Sequence, residues 1–210
     1  MTVPTQKEMR RALERRQGRE LVKKLSESTV AVCGLGGLGS NISISLARAG
    51  VGRLILIDFD RVDVTNLHRQ QYKADQIGMC KTDALAGNLL EIAPYIRLTR
   101  YSCRISPDNL ERLLADADVI CEAFDDPEAK AMLAEGALQK LPEKYLVAAS
   151  GMAGLGPAND IQTRQVTERF WLCGDGVSDV ADGNGLFSTR VMLCAAHQAH
   201  AVLRILAGEN

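Results

Sequence analysis

No two cysteines of this chain form a C-x-x-C pair, although Cys33, Cys80, Cys103, Cys121, Cys173 and Cys194 are present. That absence excludes a structural zinc site built from cysteine pairs. There is also no run of about 18 apolar residues, the length a membrane-spanning helix needs, so no membrane partner is expected. An excess of charge is missing as well. The formal net charge is -1 and the pI about 6.3, without the basic surplus of a general nucleic-acid binder. The opening residues lack the apolar core of a secretion signal. Cys33, Cys121 and Cys194 sit in apolar patterns that read as core packing. A cytoplasmic chain with reduced thiols is the simplest expectation. Internal repeats and low-complexity segments are absent too.

What is present suffices for one substantial core: 210 residues, of which 46% are hydrophobic. Residues 6–25 are charged and helix-favouring, with a sparse apolar stripe at Met9, Leu13, Leu21 and Leu25. Strands are expected at 29–33, 53–57, 96–100, 118–121 and 145–149, and helices at 38–49, 81–93, 108–115 and 127–141. Two short strands, 161–166 and 169–172, follow. A Gly- and Asp-rich loop at 173–185 then leads into a long helix at 186–207. The alternation predicts an α/β fold, a Rossmann-like doubly wound, mostly parallel sheet with a C-terminal antiparallel addition. Ligands of such sheets sit beyond the carboxyl ends of the strands. Gly34, Asp58, Asp125 and Ser150 all fall there.

The strongest local signal is Val30-Ala31-Val32-Cys33-Gly34-Leu35-Gly36-Gly37-Leu38-Gly39-Ser40, an apolar strand running through a glycine turn into a helix. Gly34, Gly36 and Gly39 fit G-x-G-x-x-G, and Asp58 stands 19 residues past Gly39, where a ribose-binding acid belongs. The helix start offers N–H groups to an anion. The polar connection 60–80 is too long for a mere turn. It carries Asn66, His68, Arg69 and Gln70, and Lys81 opens the next helix. A lysine there opposes the helix dipole, which favours a ligand role. An acid for ribose, Arg and Lys for phosphates and Asp125 for a divalent cation suit nucleotidyl transfer, in which charge builds on phosphoryl oxygens.

These residues resemble the ThiF/MoeB family, the adenylating core shared with ubiquitin-activating enzymes. The resemblance rests on the glycine loop and on a D-x-D-x-V…N-L-x-R-Q stretch at Asp58, Asp60, Val62, Asn66, Leu67, Arg69 and Gln70. It extends to G-x-x-K at residues 78–81 and to Asp125, which matches the aspartate of D-C-T-D-N. It spans about residues 9–207. Gly151-Met152-Ala153-Gly154, Cys173-Gly174-Asp175-Gly176 and Ala195-Ala196-His197-Gln198-Ala199 resemble the short, zinc-less ThiF branch. Asp126, where the family usually has Asn, and Lys130, where Arg is common, depart from the pattern.

The resemblance implies an ATP-dependent adenylyltransferase. It would activate the C-terminal Gly carboxylate of a small ubiquitin-like sulfur carrier, ThiS-like, in thiamine biosynthesis. ATP would lie against Gly34, Gly36, Gly37 and Gly39, with Asp58 on the ribose. Asp60, Asn66, Arg69, Gln70 and Lys81 complete the nucleotide-binding set. Asp125 would hold Mg²⁺, with Asp126 as a second carboxylate. Arg16, or Arg15 in an alternative register, would reach the neighbouring subunit's site, which implies a homodimer. The single domain then divides into an N-terminal helical arm (1–27), a nucleotide-binding core (28–150) and carrier-binding strands, loop and helix (151–210). The loop 173–185 is expected to be mobile and to close over the carrier tail.

Other readings stand beside these. Asp60 also suits a turn, and Asp125 and Asp126 suit a cap for the helix that Pro127 begins. His68 could merely line the phosphate connection. Cys173 is a candidate nucleophile only if its thiol pKa is lowered. His197 and His200 share a helix face but lack a third ligand, and Trp171 reads as core or partner surface. Activation of a molybdopterin- or cysteine-pathway carrier is the alternative within the family. An NAD-dependent oxidoreductase would leave Arg69, Lys81 and Asp125 unexplained, and a nucleotide-binding scaffold without turnover is the non-enzymatic alternative.

Overall fold

The computed structural model describes residues 3–209. The expected single N-terminal helix is two: α1 (Gln6–Gln17) and α2 (Arg19–Glu27). Gly18, at φ 87°, ends the first and begins the second. Thr5 and Glu8 form a reciprocal capping box at the start of α1, closing two otherwise unpaired backbone groups. α1 buries no residue, whereas α2 buries Val22 and Leu25.

The core alternates strand and helix: β1 (Thr29–Cys33), α3 (Gly37–Ala49), β2 (Arg53–Ile57), α4 (Lys81–Ile92), β3 (Arg97–Tyr101), α5 (Leu110–Leu114), β4 (Val119–Glu122), α6 (Pro127–Lys140) and β5 (Tyr145–Ala149). β6 (Gln162–Thr167), β7 (Phe170–Gly174) and α7 (Ser188–Ala207) follow. The 7-stranded sheet has the order β3-β2-β1-β4-β5-β7-β6. All neighbouring pairs are parallel except β6 with β7, so the antiparallel addition is the edge strand β6. β7 itself extends the parallel sheet and runs through Cys173 and Gly174, which the sequence assigned to the loop.

Strand residues alternate between two helical layers. Val30, Val32, Leu54, Leu56 and Cys121 pack with α3, α4 and α7. Ala31, Cys33, Ile55, Ile57 and Ile120 pack with α5 and α6. Burial on both faces explains why β1 and β2 read as near-continuous apolar runs. β6 is exposed along its whole length and kinks between Gln165 and Thr167, which blunts the open edge.

The 60–80 connection is closed at its base. Val62 N–H donates to Met79 C=O at 2.9 Å, Gly78 N–H to Val62 C=O at 2.8 Å, and Lys81 N–H to Asp60 C=O at 3.0 Å. A long excursion therefore begins and ends at one point, bringing Asp58, Asp60 and Lys81 together at the carboxyl edge of the sheet.

Candidate active site

The glycine turn after β1 is sterically determined at two positions. Gly34 has φ 89°, and a Cβ there would lie 2.8 Å from the Ala123 carbonyl oxygen. A Cβ on Gly39 would lie 1.8 Å from the Gly34 carbonyl oxygen, inside any contact distance. Only glycine lets α3 approach the strand this closely. The turn is held from outside. Asp58, buried at the end of β2, accepts the Leu35 N–H at 2.6 Å and the Asp60 N–H at 2.8 Å. Tyr72 donates its hydroxyl to the Leu35 carbonyl at 2.7 Å. No side chain caps the start of α3, which leaves its first amides open to an anion.

The 66–71 segment folds back on that helix start. Asn41 donates to the carbonyls of Gly37 and Arg69, Gln71 donates to Asn41, and Ser40 accepts the Gln71 N–H. Arg69 thereby lies against Gly37, with its guanidinium donating to the Thr65 carbonyl at 3.0 Å. Asn66 accepts the Asp63 N–H, and its Nδ2 has no partner among the described residues. Gln70 is buried with an unpartnered Oε1, an unsatisfied acceptor beside the glycine turn. His68 meets the Leu186 carbonyl and so joins this segment to the loop before α7.

Lys81 is buried, and its Nζ meets Asp60 Oδ2 at 2.8 Å. A buried ammonium requires a partner; Asp60 supplies it from the solvent edge. Asp60 thus serves the lysine as well as shaping the turn.

Beyond β4 the two aspartates separate. Asp126 caps α6, accepting the Ala129 N–H at 2.7 Å, with Pro127 at the first helical position. One of its oxygens is therefore engaged in the cap. Asp125 is exposed and has no hydrogen bond or ion pair among the described residues. An unpartnered carboxylate beside the glycine turn fits Mg²⁺, which takes one or two carboxylates and completes its shell with phosphate oxygens and water.

A cavity of about 660 Å³ opens beside this edge, between residues 153–156, the 174–184 turns and Arg190. Arg190 is buried, meets Asp175 at 2.6 Å and donates to the carbonyls of Gly156 and Pro157. Burial pushes the Asp175 carboxyl up. The Ser178 and Val177 amides and the Arg190 guanidinium outweigh it and hold the group well below the ordinary carboxylate range. Arg190 Nε and Ser178 Oγ remain buried without partners on this wall.

Cys173 is fully buried, and burial pushes its thiol up to about 11. That environment is the opposite of a thiolate nucleophile's. Cys33, Cys121 and Cys194 are buried, as their sequence context indicated. His197 bonds Thr163 at 2.9 Å, and His200 is exposed; no cluster of metal-ligating side chains exists among the described residues. Trp171 is buried, its ring centroid 5.8 Å from that of Tyr145.

Arg16 and Arg15 are exposed on α1. That arm is tied by the Tyr95 hydroxyl to the Pro4 carbonyl and by Leu13 against Gly50, both at the end of the sheet opposite the glycine turn. Arg16 is thus not brought into the site of its own chain.

Sequence reasoning missed Tyr72, Glu122, Gln198 and Arg190. Two carried a signal. Tyr72 is an aromatic in a polar connection, and Glu122 is an acid closing an apolar strand. Glu122 is 1% exposed; burial pushes its carboxyl up while Lys130, 3.0 Å away, pulls it back.

The ThiF family model matches residues 9–210. The adenylyltransferase and sulfurtransferase UBA4 of Scheffersomyces stipitis is 32% identical over 134 residues, which are 63% of this chain and 30% of that protein. The ubiquitin-like modifier-activating enzyme 5 of Arabidopsis thaliana is 40% identical over 84 residues, 40% of this chain and 20% of that protein. The chain thus spans about 30% of the length of the first curated relatives it matches. Among solved structures, the E. coli tRNA N6-threonylcarbamoyladenosine dehydratase TcdA, in complex with ATP, superposes with a TM-score of 0.87. Its identity is 21%, over 99% of this chain and 98% of that one. E. coli MccB with ATP gives 0.73 at 22% identity, over 92% and 60%. These structures share the fold. With the family model covering nearly its whole length, the chain belongs to the ThiF family.

Proposed function

We propose that this protein is an ATP-dependent adenylyltransferase for the C-terminal glycine of a small ubiquitin-like sulfur carrier, ThiS-like, in thiamine biosynthesis. The observation that carries the reading is the convergence of uncapped α3 amides, buried Lys81 and unpartnered Asp125 at one sheet edge. A redox dinucleotide requires neither the lysine nor the free carboxylate. A triphosphate requires both charges. Relatives named as adenylyltransferases add support.

The reaction follows from charge. The carrier's terminal carboxylate, with a pKa of about 3.5, is ionised at neutral pH and needs no general base. It attacks the α-phosphorus of ATP; the bond to the bridging oxygen breaks and pyrophosphate leaves, giving an acyl-adenylate. In this scheme Asp58 orients the ribose, and the α3 amides, Asn66 and Arg69 bind phosphate oxygens. Gln70 and Gly36 shape the floor. Lys81 exchanges Asp60 for a phosphate oxygen. Mg²⁺ on Asp125, with Asp126 beside it, would neutralise the leaving group. Catalysis is positioning and electrostatics. The cavity walled by Gly154, Gly156 and Gly174 suits a side-chain-free carrier tail. Arg16 would act in the partner subunit of a homodimer, since its own arm leads away from the site.

Incubation with a Gly-Gly-ended carrier, Mg²⁺-ATP and hydroxylamine tests the chemistry. A carrier hydroxamate, seen by intact mass, is expected; its absence with every such carrier would defeat the reading. ThiS-like and molybdopterin- or cysteine-pathway carriers in separate reactions decide the pathway.

A further inference from the structure

The ladder between β4 and β5 stops at Cys121 opposite Val147. Beyond it the strands part, and side chains from both helical layers bridge the gap. From α6, Lys130 Nζ donates to both carboxylate oxygens of Glu122 at 3.0 Å and to the Ala149 carbonyl at 3.1 Å. From α7, the Gln198 amide donates to the Glu122 carbonyl at 2.9 Å and to that of Val147 at 3.3 Å. Glu122 in turn accepts the Phe124 N–H at 2.7 Å and the Ala149 N–H at 3.5 Å. Phe124 is the residue before Asp125.

Burying this carboxylate is expensive, and apolar residues of similar volume would fill the space at lower cost. What the ions supply is direction. Every contact of the Glu122 carboxylate ends on the turn bearing Asp125, on the helix that Asp126 caps, or on the end of β5. We propose that Glu122, Lys130 and Gln198 are positioning residues that fix the 123–126 turn and aim the Asp125 carboxylate into the cleft. The inference rests on the reading of Asp125 as the Mg²⁺ ligand. Outer-shell partners of a ligating carboxylate orient it, and their loss costs about 10–100-fold in metal affinity.

The test is calorimetric titration of the full chain with a non-hydrolysable ATP analogue, with and without Mg²⁺. Amide hydrogen exchange at Phe124 is followed in parallel. Lys130→Met should lose about 10–100-fold of the Mg²⁺-dependent gain in affinity. Its metal-free affinity should hold, and Phe124 exchange should quicken. Lys130→Arg alone, which lengthens the base, should lose part of the gain. Adding Glu122→Asp, which shortens the acid, should restore it. This pair of variants decides the matter if Lys130→Met does not fold. Folded variants that keep the full Mg²⁺-dependent gain, or lose metal-free and Mg²⁺-dependent binding alike, overturn the proposal. Asp125→Asn separates the two layers. If it keeps the gain, the metal assignment falls and the proposal with it. If it loses the gain while both Lys130 variants keep it, only the positioning role falls.

Discussion

Lys81 and Lys130 each meet one carboxylate at the same edge of the sheet, at 2.8 and 3.0 Å, in reversed surroundings. The Lys81 side chain is 7% exposed and its Asp60 partner 48%. For Lys130 and Glu122 the values are 24% and 1%. At the first pair water reaches the acid, so under the proposed function the lysine would exchange it for an arriving phosphate. At the second the acid is sealed in, and removing the lysine strands a buried negative charge. Similar bond lengths therefore describe, on that reading, a displaceable contact and a permanent one. The side of the pair that faces water decides which.

The largest effect should come from removing the displaceable ammonium. Lys81→Met should lower the rate of carrier adenylation about 10²–10³-fold, as for loss of a transition-state donor. Steady-state kinetics would show it. Lys130→Met should, beyond its effect on Mg²⁺-dependent binding, act on stability, costing about 3–5 kcal/mol in urea unfolding, because Glu122 is left buried and unpaired. Equal stability losses for the two variants would erase the distinction.

Asp175 and Arg190, 10% and 5% exposed, extend the comparison to a pair sealed at both ends. Asp175→Asn should cost about 3 kcal/mol at neutral pH. The folded carboxyl lies below its usual range. Its contribution is therefore complete above the unfolded pKa of about 3.9 and fades as pH falls below that value. Denaturation at successive acidic pH values should show the variant's penalty shrinking. A constant penalty would locate the effect in packing alone.

Smaller again is Asp60→Asn. The amide keeps an acceptor for the buried Lys81 ammonium but removes its counter-charge, so the change in stability should be about 1–3 kcal/mol. The smallest response should be that of Cys173. With its thiol pushed up to about 11 it should resist alkylation at neutral pH in the folded protein, while half-buried Cys80 and Cys103 react. Peptide mapping after brief alkylation would reveal any departure.

The displaceable half of the comparison was legible in the sequence, since Gly34, Asp58, Asp60, Arg69 and Lys81 lie on one strand–turn–helix run and the connection after it. Their types and spacing carry the geometry. The permanent half was hidden. Gln198 and Glu122 are 76 residues apart, and no local pattern announces that a helix amide will bridge two strand ends. Asp126 was half legible, because Pro127 marks a helix start and so a cap. The arm was misread because apolar spacing continues through Gly18, where one left-turning residue breaks the helix. Strand pairing with β5 at Cys173 and with β6 at Gly174 carried β7 two residues into a segment whose Gly and Asp content reads as loop.

The most direct measurement of the central claim is ATP–pyrophosphate exchange with Mg²⁺, with and without a ThiS-like carrier, beside an Asp125→Ala variant. The account predicts exchange that requires the carrier and disappears in the variant. Silence with every Gly-Gly-ended carrier, or exchange undiminished in Asp125→Ala, would contradict it.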